Sequence, residues 1–219
     1  MLTGCGQQDY QQRLDKSLVA VKHQAKFGIL ELQPTTLPGT PVSMRLPAKL
    51  DARLTLESQD PEGSGTVAEA RIQAGKVTLP GLRMTCQGLE KDERGVEVPY
   101  FCHLAAVARD PTSPPLLDKL HEQVKAAFPE AGAFEEVTCE SLVVGQTIAW
   151  QRLEAKGEDS FQRFGVTTSD VLPGAFSYWV HEGEAWQVIV VWRVPDSIEM
   201  RVPAAEWARR MCGTLAIGS

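Results

Sequence analysis

Apolar residues at Tyr10, Leu14, Leu18, Val21, Ala25 and Phe27 recur every three or four positions among Gln, Arg and Lys, the spacing of a helix over Tyr10–Phe27. Such a stripe ordinarily becomes a core face, and with lysines beside it the same stripe suits an anionic membrane surface. Gln33–Pro41, with three prolines and a glycine, reads as a linker or turn. From there the period falls to two. Val42–Pro47 and Leu50–Leu56 alternate apolar and polar residues as half-buried strands do, and the polar segment Glu57–Ser64 ends the second of them in a loop. Thr66–Ile72 and Lys76–Leu82 flank Gln73-Ala74-Gly75 as a hairpin whose second arm Pro80 confines to an edge or a bulge. Arg83–Leu89 and Val96–Val107 form the arms of a further hairpin turned at Asp92-Glu93-Arg94-Gly95.

Leu117, Leu120, Val124 and Phe128 restore the helical period over Leu116–Phe128, opened by Pro114-Pro115 and stopped by Pro129. Two strands, Phe134–Val144 and Gln146–Leu153, are expected next, with the polar stretch Ala155–Ser169 as an exposed loop. Phe176–His181 and Ala185–Val194 bracket the turn Glu182-Gly183-Glu184. The second arm carries Trp186, Val188, Val190, Trp192 and Val194 on one face and Ile189 and Val191 on the other, which marks a central strand buried on both sides. Pro203–Leu215 closes the chain as a helix with Ala204, Trp207, Ala208, Met211 and Leu215 inward. The pattern predicts an α+β fold: an antiparallel sheet packed with N-terminal, middle and C-terminal helices. Residues 10–219 make one domain and residues 1–9 an N-terminal tether.

Composition narrows the function classes. Of 219 residues 43% are hydrophobic and 23% charged, enough to bury a core and far from the signature of disorder. A net charge of −6 argues against a nucleic-acid footprint, which needs Lys and Arg gathered on one face. No stretch approaches the roughly 20 apolar residues of a membrane-spanning helix.

Leu2-Thr3-Gly4-Cys5 resembles the lipobox of bacterial lipoproteins, in which a signal peptidase cuts before a cysteine that carries diacylglycerol. The resemblance implies lipidation at Cys5, a membrane partner through that anchor and a place in the cell envelope. Only Met1 stands before the box, so either the apolar region of a signal peptide lies upstream of it or the match is chance. Beyond Cys5 the cysteines are Cys86, Cys102, Cys139 and Cys212. A turn centred on Arg94 sets Cys86 opposite Cys102, where Cβ atoms of paired strands come within bridging range, which makes them a candidate disulfide. The alternative is two buried thiols packing as small apolar side chains.

The order of elements resembles the PsbP-like α+β sandwich, a superfamily that includes photosystem extrinsic subunits, a nuclear transport cofactor and bacterial lipoproteins. The residues carrying the likeness are Val42–Pro47, Gly145–Trp150, and Trp186–Pro195 running into Trp207–Leu215. Its members share no common chemistry, so the resemblance implies a fold and no site residue.

Motifs for catalysis are absent. The sequence has no Gly-x-Ser-x-Gly elbow, no phosphate-cradling glycine loop, and no HExxH or CxxC among its scattered His23, His103, His121 and His181, so neither cofactor nor metal is expected. Cys102 and His103 are neighbours on a strand and point to opposite faces, which prevents a dyad. Tyr178, Trp179 and His181, near the terminal hairpin's turn, are the candidate contact residues. The expectation is a non-enzymatic, envelope-associated domain that binds a protein or small ligand of unknown identity. The rivals are a soluble cytoplasmic enzyme or thiol-dependent protein, and a structural protein dimerising through the terminal hairpin.

Overall fold

In the computed structural model, which describes residues 5–55, 76–112, 115–166 and 170–218, the strands form a seven-stranded antiparallel sheet and a small three-stranded one. Two short strands, β1 (Thr35–Thr36) and β2 (Val42–Met44), come first in the chain. The large sheet comprises β3 (Ala52–Thr55), β4 (Leu82–Lys91), β5 (Glu97–Ala108), β6 (Glu135–Glu140), β7 (Thr147–Phe161), β8 (Asp170–Glu182) and β9 (Trp186–Pro195). Its order is β3-β4-β5-β9-β8-β7-β6. β2 pairs with both β1 and β10 (Ala216–Ile217) in a separate small sheet. The helices α1 (Cys5–Ala25), α2 (Leu116–Ala127) and α3 (Ala204–Cys212) flank the strands, giving the expected α+β class.

Alternation on β9 organises the interior. Val188, Val190, Trp192 and Val194 enter one core with Tyr100, Trp150, Trp179, Trp207 and Met211, covered by α3 and the segment around Leu37–Leu50. Ile189 and Val191 enter a second core with Phe101, Leu153, Phe176 and Tyr178, covered by α2 through Leu116, Leu120, Val124 and Phe128. With β5 on one side and β8 on the other, β9 is the interior strand its sequence pattern predicts. The β4–β5 turn is closed by Asp92, whose Oδ1 accepts the N–H groups of Arg94 and Val96 at 2.9 Å each. Gly95 there takes φ 79°, which a side chain would strain. This turn fixes the expected register, with Cys86 directly opposite Cys102.

Several expectations are corrected. The polar stretch Ala155–Ser169 is in large part strand, since β7 runs on to Phe161 and pairs with β8 from Asp170. Its inward positions between Leu153 and Phe161 are Ala155, Gly157 and Asp159, too small or too polar to signal burial in sequence. Lys76–Leu82 is not a strand arm: β4 begins at Leu82, and Val77 and Leu79 are nevertheless buried in the α2-side core. Leu56 and the expected strand Thr66–Ile72 lie outside the described residues. Gln33–Pro41 holds β1, a fully buried Leu37 and a turn in which Thr40 N–H donates to the Leu37 carbonyl at 3.2 Å, so it is the expected turn within the body rather than a linker. α1 begins at Cys5, within the segment read as a tether, and its stripe does not face a core. From Tyr10 to Lys22 every side chain is exposed except the half-buried Ala20. From Tyr10 on, the first buried side chains are His23, Phe27 and Leu30.

Candidate functional site

Two places combine polar chemistry with apolar walls, one on each face of the sheet. On the α3 face, register sets two cross-strand rows side by side. Glu154, Ser177 and Trp192 form one row, and Lys156, Ala175 and Val194 the other. The last helix does not cover them fully. It has nine residues and starts at Ala204, after a 3-10 turn at Asp196–Ile198 that buried Ile198 and Val202 hold against the body. Between floor and roof opens a cleft of about 790 Å³, roofed by Glu199, Met200, Val202 and Pro203 and edged by Glu130 and Glu206.

Lys156 bridges the cleft to Glu199 at 3.1 Å, and that hydrogen bond holds the Lys156 ammonium above its ordinary range. Ser177 Oγ accepts the Trp179 indole N–H at 2.7 Å, which leaves the serine O–H free to donate. Trp192 packs against Trp207 at 5.8 Å between ring centres. Its own indole N–H is buried and has no acceptor among the described residues. Met200 on the roof is 97% exposed.

On the α2 face lies a buried charge network. Arg193 Nη2 approaches Asp159 Oδ2 at 3.3 Å, with both side chains 4% exposed. The guanidinium also donates to the Ser160 carbonyl and stacks over Phe161 and Phe101, 5.1 and 5.5 Å from the ring centres. Asp159 accepts the backbone N–H groups of Ser160 at 2.7 Å and Lys76 at 3.3 Å. Arg193 Nη1 points to His103 Nε2 at 3.4 Å, and His103 Nδ1 lies 2.8 Å from Thr85 Oγ1. Arginine only donates, so His103 carries its proton on Nδ1 and gives it to Thr85. Burial first and the Arg193 charge second hold His103 well below its ordinary value, so it is neutral. Sequence reading missed this network. Its signal was Arg193 on the same face of β9 as Ile189 and Val191, where only apolar side chains are expected.

The residues singled out in sequence fall apart in space. Tyr178 and Trp179 are each 1% exposed and lie in opposite cores, so neither offers a surface contact. Neighbours on a strand with both faces covered are both buried. His181 is half-buried, its Nδ1 2.9 Å from the Ala149 carbonyl and its ring 5.4 Å from Trp150. Cys5 opens α1. Cys86 and Cys102 are buried thiols, not a disulfide, in this structure. Burial pushes the Cys86 thiol up to about 12 and Cys102 well above its ordinary value. Cys102 lies in the α3-side core and His103 on the other face, so no dyad forms. Among the described residues no three His, Cys, Asp or Glu side chains group to hold a metal ion. No described helix is long and apolar enough to cross a membrane.

No protein-family model matches the chain, and no curated protein matches it. A solved crystal structure from Bacteroides thetaiotaomicron VPI-5482 is similar at a TM-score of 0.38 and 14% identity, covering 85% of this chain and 48% of that one. The chain thus spans about half the length of the structure it matches, and the likeness is too distant to inform its function.

Proposed function

We propose that this chain is a binding or accessory domain of the cell envelope, tethered through Cys5, that takes the apolar part of a protein segment or small ligand into the cleft beneath α3 without turning it over. The observation that carries this reading is the cleft itself, floored by Ala175 and Val194 with the Ser177 hydroxyl free to donate, and roofed by Met200, Val202 and Pro203. Ala175, Val194, Val202 and Met200 supply the apolar wall, where each Å² removed from water adds about 25 cal/mol. Glu130, Glu154 and Glu206 stand at the edges while Lys156 is tied to Glu199, so the cleft favours neutral or cationic ligands over anions. The envelope part is supported by the likeness of Leu2-Thr3-Gly4-Cys5 to a lipobox.

Titration with Nile red, a neutral apolar dye, tests the cleft. The wild-type chain should bind it saturably. Ala175→Trp, which fills the floor, should abolish that binding, and equal binding by the variant would refute the cleft. The tether is tested apart, by intact mass of protein recovered from its native membrane fraction. Diacylglycerol on Cys5 is expected, whereas an unmodified Cys5 in the soluble fraction overturns the envelope reading and leaves the cleft reading standing.

A further inference from the structure

Cys139 and Cys212 are far apart in sequence and adjacent in space. Cys139 is the one buried position of β6, the outer strand of the large sheet, and Cys212 is the last residue of α3. The backbone just beyond them is clasped. Leu142 N–H donates to the Gly213 carbonyl at 3.2 Å, and Arg210 pairs with Glu140 at 3.3 Å. A side chain on Gly213 would collide with the Glu140 carbonyl oxygen, so glycine is what lets the end of α3 come this close to the strand. The end of α1 grips the same spot, with His23 Nε2 2.7 Å from the Ser141 carbonyl and Lys26 2.8 Å from Glu140. Between these clasps the two side chains lie in the same buried cluster, both as free thiols in this structure and interacting with each other.

We propose that Cys139 and Cys212 form a disulfide that ties the C-terminal helix to the outer strand of the sheet. Exchange needs a thiolate open to the oxidant, which both cysteines offer before α3 docks. The oxidant is a small disulfide such as oxidised glutathione. Cys139 thiolate attacks one of its sulfurs and releases one glutathione thiolate. Cys212 thiolate then attacks the Cys139 sulfur of the mixed disulfide and releases the second. The two cysteine protons end on the two released thiols, so one disulfide is reduced as one forms. Both sulfurs are buried once α3 has docked, which places the exchange during folding.

The test starts from the reduced, unfolded full-length chain, refolded in mixed oxidised and reduced glutathione, alkylated and digested without reductant. The expected product is a peptide pair joined through Cys139 and Cys212 and lacking their two thiol hydrogens. Reduction should then lower the melting temperature by about 10 °C in the wild type, because the bridge closes a long loop, and leave the Cys139→Ser, Cys212→Ser double variant unmoved. Recovery of both cysteines as alkylated thiols, or joined to other partners, overturns the proposal. Should the double variant fail to fold, the wild-type peptide map decides alone.

Discussion

Asp159→Asn removes one charge from the α2 side of the sheet while keeping the side chain's size and one oxygen acceptor for its backbone donors. Its partner, Arg193, is 4% exposed and has nowhere to take its charge. At 3.3 Å and an effective dielectric near 20 the attraction that is lost amounts to about 5 kcal/mol, part of which only offset the desolvation of the two ions. Breaking one side of such a pair costs about 3–5 kcal/mol, a large share of a domain's net stability. Urea unfolding followed by tryptophan fluorescence should show that loss as a fall in midpoint at unchanged slope. Adding Arg193→Met to Asp159→Asn should return most of it, because no uncompensated charge remains. A single variant within about 1 kcal/mol of wild type, or a double variant whose losses simply add, would refute the view that the two charges are held as a buried unit.

Trp179→Ala should cost about 3–5 kcal/mol by emptying the α3-side core, whereas a surface contact residue would cost under about 0.5, so a thermal melt separates the two roles. His103 gives a pH signature. Because its folded value is held down, the unfolded chain takes up a proton below about pH 6.5 that the folded chain refuses. Its contribution is therefore intact above that pH and is lost at about 1.4 kcal/mol per unit as pH falls. Urea midpoints at pH 7 and pH 5 should diverge less in His103→Gln than in the wild type, and identical pH dependence in both chains would rule the histidine out as the source.

Elements defined by unbroken periodicity were legible. β9 shows both of its buried faces in sequence, and the β4–β5 turn is compact enough that counting outward from Arg94 pairs Cys86 with Cys102. The extension of β7 and β8 was not, because glycines occupy inward positions where rings press on the sheet. A Cβ at Gly157 would sit 2.7 Å from Phe128 and one at Gly174 would sit 2.7 Å from Phe161. A residue made small to admit an aromatic from elsewhere leaves no apolar mark of its own. The α1 stripe shows the opposite limit, since periodicity reports that a helix has a face and not what lies against it. The burial of Tyr178 and Trp179 depends on β8 lying between β9 and β7, a matter of strand order that local pattern does not contain. The cleft depends in the same way on where α3 begins relative to strands far away in sequence.

The exposure of α1 has a mechanical meaning. From Cys5 to His23, the first buried side chain after Tyr10, the helix rises roughly 27 Å at 1.5 Å per residue. Anything fastened at Cys5 is therefore held at a distance set by a rod rather than by a slack chain. The rod's foot is clamped at His23 and Lys26 onto Ser141 and Glu140, at the same strand end that α3 grips. A sideways load on the far end of α1 would be delivered as torque to that corner, where the ends of α1 and α3 both meet β6.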